Sequence, residues 1–166
     1  MVGRTYLFDA NAIIEAVRVG VWNALTGGLL LHTVETCADE CRRGDRFSTG
    51  YVAVTEAALD RITAIRWVAD DHIASVLLMD KAEALDPGEL ELFAHALALP
   101  SDDVWVICSP DLASVKFAVA AGIGERLISL EEAMNVVGTN ARTPLRNHFT
   151  ATWLSAERTK AMLGVR

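Results

Sequence analysis

Four acidic residues that are far apart in the chain each lie close after an apolar run. They are Asp9, Glu40, Glu89 and Asp111. In an open parallel α/β sheet, the carboxyl ends of the strands meet at one crevice, so acids at those ends converge. A cluster of carboxylates with amide and hydroxyl neighbours offers the oxygen ligands that a hard divalent cation prefers. The pattern therefore predicts a divalent-metal site.

The chemistry of such a site follows from charge. Carboxylates that share one edge of a sheet repel each other, which raises their pKa values and destabilises the metal-free fold. A bound divalent ion removes that penalty, and Mg²⁺ prefers octahedral oxygen ligands at about 2.0–2.1 Å. An ion that polarises water, helped by a second ion about 3.5–4 Å away, suits phosphodiester hydrolysis.

Each of three acids also has an ordinary structural explanation. The segment 86–89, Asp-Pro-Gly-Glu, is typical of a helix N-cap, a first-turn proline and a capping-box glutamate. Ser109-Pro110-Asp111 has the pattern of a cap, a proline and a first-turn acid. Asp9 is a candidate cap of the helix that follows it. Both interpretations stay open for these residues.

Glu40 is different because it falls in the last turns of its predicted helix, where the helix dipole disfavours an anion. Pairing with Arg42 or Arg43 would help only slightly, since an exposed pair contributes about 0.3–0.5 kcal/mol. The position of Glu40 is better explained if its side chain projects toward positive charge.

The bulk composition is that of one domain with an ample core: 166 residues, 52% hydrophobic, with a mean hydropathy of +0.27. No apolar run approaches the roughly 18 residues needed to cross a bilayer, and no signal peptide is recognisable. We expect a cytoplasmic protein without membrane contact. Three cysteines are too few for a disulfide framework and are interpreted as packed thiols. They are Cys37, Cys41 and Cys108.

Charge is unevenly distributed. The whole chain carries −7, yet residues 139–166 carry +4 and the preceding 138 residues −11. A basic segment on an acidic body predicts phosphate contacts from that segment. The residues proposed for phosphate contacts are Arg142, Arg146, Arg158 and Lys160 in this segment, with Arg42, Arg43 and Lys116 nearer the acids.

Hydrophobic periodicity predicts strands that alternate with helices, which indicates βαβ units. The predicted strands are 5–8, 29–34, 64–69, 104–108 and 126–129. The predicted helices are 10–25, a helix through Cys37 and Glu40 ending at Gly44, 52–59, 73–84, 89–97, 112–121 and an amphipathic helix from Pro144. Residues 45–50 are predicted to be a polar loop. We expect a three-layer α/β/α domain over 1–138 with a mostly parallel sheet, followed by a helical extension over 139–166.

The order of these acids resembles that of PIN domains, a family of metal-dependent nucleases. The first family motif is Asp-x-Asn at a strand end, here Asp9-Ala10-Asn11. Glu40 matches the helix glutamate of the second motif, and Glu89 in Pro87-Gly88-Glu89 is a variant of the third. Ser109-Pro110-Asp111 matches the Ser/Thr-x-Asp of the fourth. The resemblance covers residues 4–131.

The resemblance implies Mg²⁺ or Mn²⁺ held by Asp9, Glu40, Glu89 and Asp111, with Asn11 and Ser109 as supporting polar groups. It also implies an RNA substrate, and it is compatible with a toxin paired with an antitoxin protein and with a homodimer. The sequence departs from the family pattern at Glu89, at Pro110 and in having no clear fifth acid. These departures leave a second interpretation open: a PIN-like binding or scaffold module with little or no catalysis.

Two other enzyme classes fit poorly. A haloacid-dehalogenase-type phosphatase requires a second Asp two residues after the first, where this chain has Asn11. A receiver domain requires adjacent acids after the first strand and a later strand-end lysine, and neither arrangement is found.

Overall fold

The structure, a computed structural model, describes residues 3–43 and 52–165. Its strands are β1 (Thr5–Phe8), β2 (Leu30–Val34), β3 (Ala64–Arg66) and β4 (Trp105–Cys108). Its helices are α1 (Ala10–Arg18), α2 (Trp22–Gly28), α3 (Glu35–Arg43), α4 (Glu56–Leu59), α5 (Asp70–Leu77), α6 (Pro87–Ala98), α7 (Leu112–Ala120), α8 (Leu130–Val137) and α9 (Ala151–Leu163).

The four strands form one parallel sheet in the order β3-β2-β1-β4. Register places Tyr6 beside both Leu31 and Val106, so β1 is a central strand. β4 is buried at all four positions, as expected for a strand covered on both faces. The prediction of an α/β fold with a parallel central sheet is confirmed.

The right-handed connections between parallel strands determine on which face of the sheet each helix packs. The chain moves from β1 outward to β2 and β3, then returns across the sheet to β4. Because crossovers between parallel strands are right-handed, this reversal places α1 and α2 on one face and α5 and α6 on the other. α6 contacts β1 and β2, and it meets α7 through Phe93 and Phe117, whose ring centroids are 4.7 Å apart. The three-layer arrangement follows from this reversal.

The C-terminal segment packs against the body of the domain. Helix α9 contacts α7 and α8, with Leu154 buried, and Phe149 just before it is buried too. Arg158 on α9 donates to the carbonyl oxygens of Gly124 and Leu127, both at 3.2 Å. This segment therefore contributes to the core of the described structure.

Several predicted boundaries change. The helix predicted over 10–25 is two helices, because the chain turns at Gly20 with a φ of +79°. The strand predicted over 126–129 is wrong: the segment has a 3₁₀ turn, Gly124–Arg126, and a single bridge from Leu127 to Ile107. The predicted strand 64–69 stops at Arg66.

Three helix starts or ends also move. The helix predicted from Pro144 starts at Ala151, where Thr150 caps it, after a 3₁₀ turn over Asn147–Phe149. The helix predicted over 73–84 ends at Leu77, and the one predicted over 52–59 is only the short α4. Gly44 and the loop predicted over 45–50 lie outside the described residues. Within the described residues, no helix is both long enough and apolar enough to cross a membrane.

Candidate metal centre

Asp9 stands at the carboxyl end of the central strand β1, directly before α1. Its backbone N–H donates to the carbonyl oxygen of Cys108 at 3.0 Å, which fixes it to the end of β4. The residue is only 1% exposed. It occupies the N-cap position of α1, but its side chain makes no capping hydrogen bond, so the capping interpretation fails here. Its Oδ2 atom is buried and has no hydrogen-bond partner among the described residues.

Burial controls the ionisation of Asp9. Loss of solvent, together with the charges of Asp86 and Glu40, raises its pKa from 3.8 to about 7, although the nearby amides of Ala10 and Asn11 lower it. A buried carboxylate with a free oxygen and acidic neighbours lacks a positive partner. A cation would supply one.

Glu40 projects from α3 onto the N-terminus of α6. An ideal Cβ added to Gly88 would lie 2.8 Å and 2.9 Å from the two carboxylate oxygens of Glu40, so the carboxylate occupies the space that a side chain would fill. The Gly88 amide lowers the pKa of Glu40, but burial and the charge of Asp86 have the larger effect and raise it. The expected positive charge is therefore in part the N-terminus of α6.

Glu89 serves two purposes. Its Oε2 accepts from the Asp86 N–H at 3.0 Å, and the Asp86 side chain accepts from the Glu89 N–H at 2.8 Å. This is the predicted capping box. Its Oε1 atom is buried and has no hydrogen-bond partner among the described residues. Burial first, then Asp86, Asp111 and Asp9, raise the pKa of Glu89 to about 8, against a lowering by the Asp86 amide.

Asp111 is the N-cap of α7, where its Oδ1 accepts from the Ala113 N–H at 2.8 Å. The sequence pattern predicted Ser109 as the cap of this helix, and that prediction is wrong because Asp111 is the cap. Ser109 is buried, and its hydroxyl bonds to that of Ser114 at 2.8 Å. This hydrogen bond ties Ser109 to the first turn of α7. Asn11 is exposed in the first turn of α1, beside the site.

Cys37 is the site residue that the sequence interpretation missed. It is fully buried on α3, and its single S–H donor has two acceptors within reach, Asp9 Oδ1 at 3.8 Å and the Gly88 carbonyl oxygen at 3.5 Å. Ligand atoms of Asp9, Cys37 and Glu40 lie within 4.8 Å of one another. The available signal was its spacing of three residues before Glu40, which places both on one helix face.

The four predicted acids form one connected electrostatic cluster. Asp9 interacts with Glu40 on one side and with Glu89 on the other, and Glu89 interacts with Asp111. Among the described residues, only Asp9 and Glu40 of these four stand close enough, with Cys37, to share one ion in this conformation. Asp86 is the N-cap of α6, and its negative charge also raises the pKa values of Asp9, Glu40 and Glu89.

The basic residues near the acids are unevenly placed. Arg42 pairs with Asp39 and Glu56, each at 2.7 Å, so its guanidinium is occupied. Arg43 is exposed at the end of α3 and lowers the pKa of Glu40. Lys116 is exposed on α7, more than one turn beyond Asp111.

Arg142 and Arg146 lie at the other end of α1. The Arg142 N–H donates to the Val19 carbonyl at 2.9 Å, and Arg146 Nε is 3.9 Å from Glu15 Oε2. Helix α1 rises about 1.5 Å per residue, so its Arg18 end is roughly 13 Å along the helix axis from Asp9. The structure does not bring these two arginines to the acids.

No protein-family model, no curated protein and no solved structure matches the chain. The geometry of the chain itself therefore carries the functional argument.

Proposed function

We propose that this chain is a divalent-metal-dependent nuclease that hydrolyses phosphodiester bonds, with RNA as the substrate. One observation carries the proposal. Asp9 and Glu89, 1% and 2% exposed, each keep one buried carboxylate oxygen without a partner among the described residues. Buried charges normally have partners because desolvation is costly, so two such oxygens at one sheet edge fit a cation.

The position of each residue indicates its role in this proposal. Asp9, Glu40 and the Oε1 atom of Glu89, which has no partner among the described residues, would hold the ion, Mg²⁺ or Mn²⁺, while Asp111 extends the acidic surface along the carboxyl ends of the strands. The ion, when bound, would supply Lewis-acid activation of water and charge for the leaving oxygen. Cys37 donates to Asp9 Oδ1, which leaves Oδ2 free to face the ion. The order and spacing of the acids, which resemble those of PIN domains, support the same chemistry.

RNA contacts are proposed for the exposed basic groups. Arg43 and Lys116 are exposed and lie within five residues of a site acid, whereas the Arg42 guanidinium already pairs with Asp39 and Glu56. Arg142 and Arg146 would bind a phosphate only well away from the cleavage point. Replacing Arg43 and Lys116 with Gln should therefore weaken RNA binding and reduce its salt dependence by about one unit of slope per lost contact. Arg142→Gln should have a smaller effect on cleavage.

A second function is favoured by specific contacts. Glu89 and Asp111 both cap helices, and Glu40 sits on the Gly88 amide, so three of the four acids have structural partners. A PIN-like binding or scaffold module would need no more than these. Thermal stability with Mn²⁺ separates the two: a nuclease site gains stability through Asp9, whereas a scaffold does not.

Cleavage of a mixed single-stranded RNA pool in Mn²⁺ tests the nuclease directly. We expect cleavage by the wild type and a loss of about 100-fold or more in Asp9→Asn or in EDTA, because the variant would lack one ligand of the ion and the chelator would remove the ion itself. Asp103→Asn is the matched control. Asp103 precedes β4 and so lies at the amino-terminal ends of the strands, whereas the site lies at their carboxyl ends. Equal activity of wild type and Asp9→Asn would contradict the proposal.

The proposal extends to partners. Exposed apolar side chains are available for contact with an antitoxin protein or a second copy of the chain; they include Trp67 at 73%, Leu77 at 54% and Leu78 at 90%. Light scattering over a concentration series tests the homodimer. A small gene adjacent to this one would favour a toxin–antitoxin pair.

A further inference from the structure

We propose that Asp9, Cys37 and Glu40 form a binding site for a thiophilic divalent ion of the Zn²⁺ type, with the sulfur of Cys37 as a ligand. Its occupation would exclude Mg²⁺ or Mn²⁺ and switch the nuclease off. The inhibitory consequence rests on the proposed function, whereas the binding itself does not.

The geometry of the three ligand atoms carries the proposal. A carboxylate oxygen of Asp9, Cys37 Sγ and a carboxylate oxygen of Glu40 all lie within 4.8 Å of one another. In a tetrahedral site, ligand atoms at about 2.0–2.3 Å from the ion are about 3.3–3.7 Å apart, so each pair of these atoms has to approach by no more than about 1.5 Å. Small side-chain adjustments therefore bring all three atoms onto one ion.

Asp9 supplies an independent sign that a cation belongs there. It is 1% exposed, and its Oδ2 atom has no partner among the described residues, although Cys37 already donates to Oδ1. The thiol thus meets the carboxylate at the place where positive charge is missing. A packed thiol in an apolar core would have no such neighbour.

The ligand set decides which ion is favoured. Mg²⁺ takes oxygen ligands and gains little from sulfur, whereas Zn²⁺ binds thiolate, carboxylate and imidazole in tetrahedral sites. Divalent affinity for sites with sulfur also rises toward the end of the first-row series. Cys37 therefore biases this group toward Zn²⁺ over the hard ions.

Binding balances without an oxidant or reductant. The S–H bond of Cys37 breaks, a Zn–S bond forms, and one proton leaves to solvent. Burial opposes thiolate formation in the metal-free protein, and a bound cation reverses that preference because a coordinating thiol is deprotonated outright.

Cys41 provides the matched control. It is four residues further along α3 and is also buried, but its thiol contacts the Ala10 carbonyl at 3.9 Å and it is outside the group of three. Cys37→Ala should remove the thiophilic site, and Cys41→Ala should leave it. Cys37→Ser, which keeps the side-chain volume, serves if the alanine variant fails to fold.

Cobalt is the probe, since Co²⁺ bound to a thiolate shows a sulfur-to-metal charge-transfer band in the near ultraviolet. We expect this band in the wild type and in Cys41→Ala, its absence in Cys37→Ala, and its loss when Zn²⁺ is added. Zn²⁺ affinity, measured by competition, should fall about tenfold or more in Cys37→Ala.

Thermal stabilisation by Mn²⁺ separates the failure of this proposal from that of the nuclease. No cobalt–thiolate band, with Mn²⁺ still stabilising the wild type but not Asp9→Asn, would overturn the thiophilic site and leave the nuclease standing. Absence of both responses would overturn both proposals. A band that persists in Cys37→Ala would also refute the assignment to Cys37.

Discussion

At the scale of single residues, the site contains two buried carboxylates, Asp9 and Glu89, in each of which one oxygen has no hydrogen-bond partner among the described residues. In Glu89 this oxygen is Oε1, while Oε2 accepts in the capping box, and in Asp9 it is Oδ2. Such residues cost stability in the metal-free protein because ionised carboxylates are poorly solvated there. The same residues become favourable contacts once a cation is present.

Asp9→Asn should therefore stabilise the metal-free protein. Removing a buried charge should raise the free energy of unfolding by about 1–3 kcal/mol at pH 8, measured by urea unfolding in EDTA. The gain should shrink as pH falls toward 3.8, the ordinary pKa of the group, because the wild-type carboxyl is then protonated in both states. Asp103→Asn, at a partly exposed acid, should change stability little; a destabilised Asp9→Asn would contradict the burial argument.

At the scale of elements, the N-terminus of α6 does most of the positioning. Asp86 and Glu89 cap it, and the Glu40 carboxylate rests where Gly88 has no side chain. The N-terminus of α6 thus positions Asp86, Glu89 and Glu40 near Asp9, at the carboxyl ends of the strands. A Cβ atom at position 88 would displace the Glu40 carboxylate, which is the far end of a flexible side chain.

Gly88→Ala should weaken Mn²⁺ binding by about tenfold while leaving the fold intact. The new methyl group would displace the Glu40 carboxylate, and helix propensity would offset the strain by about 0.5–1 kcal/mol. Gly27→Ala is the control, because Gly27 lies in α2 with open space around its Cβ position. Isothermal titration with Mn²⁺ checks both; equal affinities would show that Glu40 is not a ligand.

The far end of α1 shows a second buried charge, Glu15, whose side chain is fully buried and pairs with Arg18 and Arg146. Arg18→Ala should cost about 2–4 kcal/mol, since it leaves a buried carboxylate uncompensated. Arg146→Ala should cost under about 1 kcal/mol, because Arg146 is half exposed and 3.9 Å away. Urea unfolding of both variants measures the contrast, and similar losses would argue against it.

At the scale of the whole molecule, two sets of groups give stability opposite pH dependences. Burial raises the pKa of Asp9 from 3.8 to about 7 and of Glu89 from 4.5 to about 8, so their contribution to stability is lost as pH rises from the lower to the higher of these values. Burial, with the charge of Arg66, lowers the pKa of His32 and His95, so their contribution is lost as pH falls below 6.5.

The metal-free protein should therefore have its stability maximum below pH 6.5, because above that pH the histidines no longer change their contribution while the two acids still lower stability. Saturating Mn²⁺ should shift the maximum to higher pH, because the ion favours the ionised acids. Thermal unfolding across pH 4–9, with and without Mn²⁺, would test this. An unchanged maximum in Mn²⁺ would mean that the acids do not bind the ion.

Most of the architecture could be predicted from the sequence, because apolar runs and their period are local signals. The strands at 5–8 and 104–108, the capping box at Asp86–Glu89 and the parallel sheet all follow from such signals. The fifth strand failed because pairing depends on a neighbour, and Leu127 makes only one bridge. The long first helix failed because Gly20 turns the chain before Trp22.

The sequence by itself determined that four acids would lie near the ends of strands and helices. Only the tertiary structure decided which of their oxygens are left without partners and that Cys37 stands beside Asp9. It also decided that Arg142 and Arg146 pack at the far end of α1. The reason is physical: strand ends and caps are set within a few residues, whereas burial and contact distance depend on elements from distant parts of the chain.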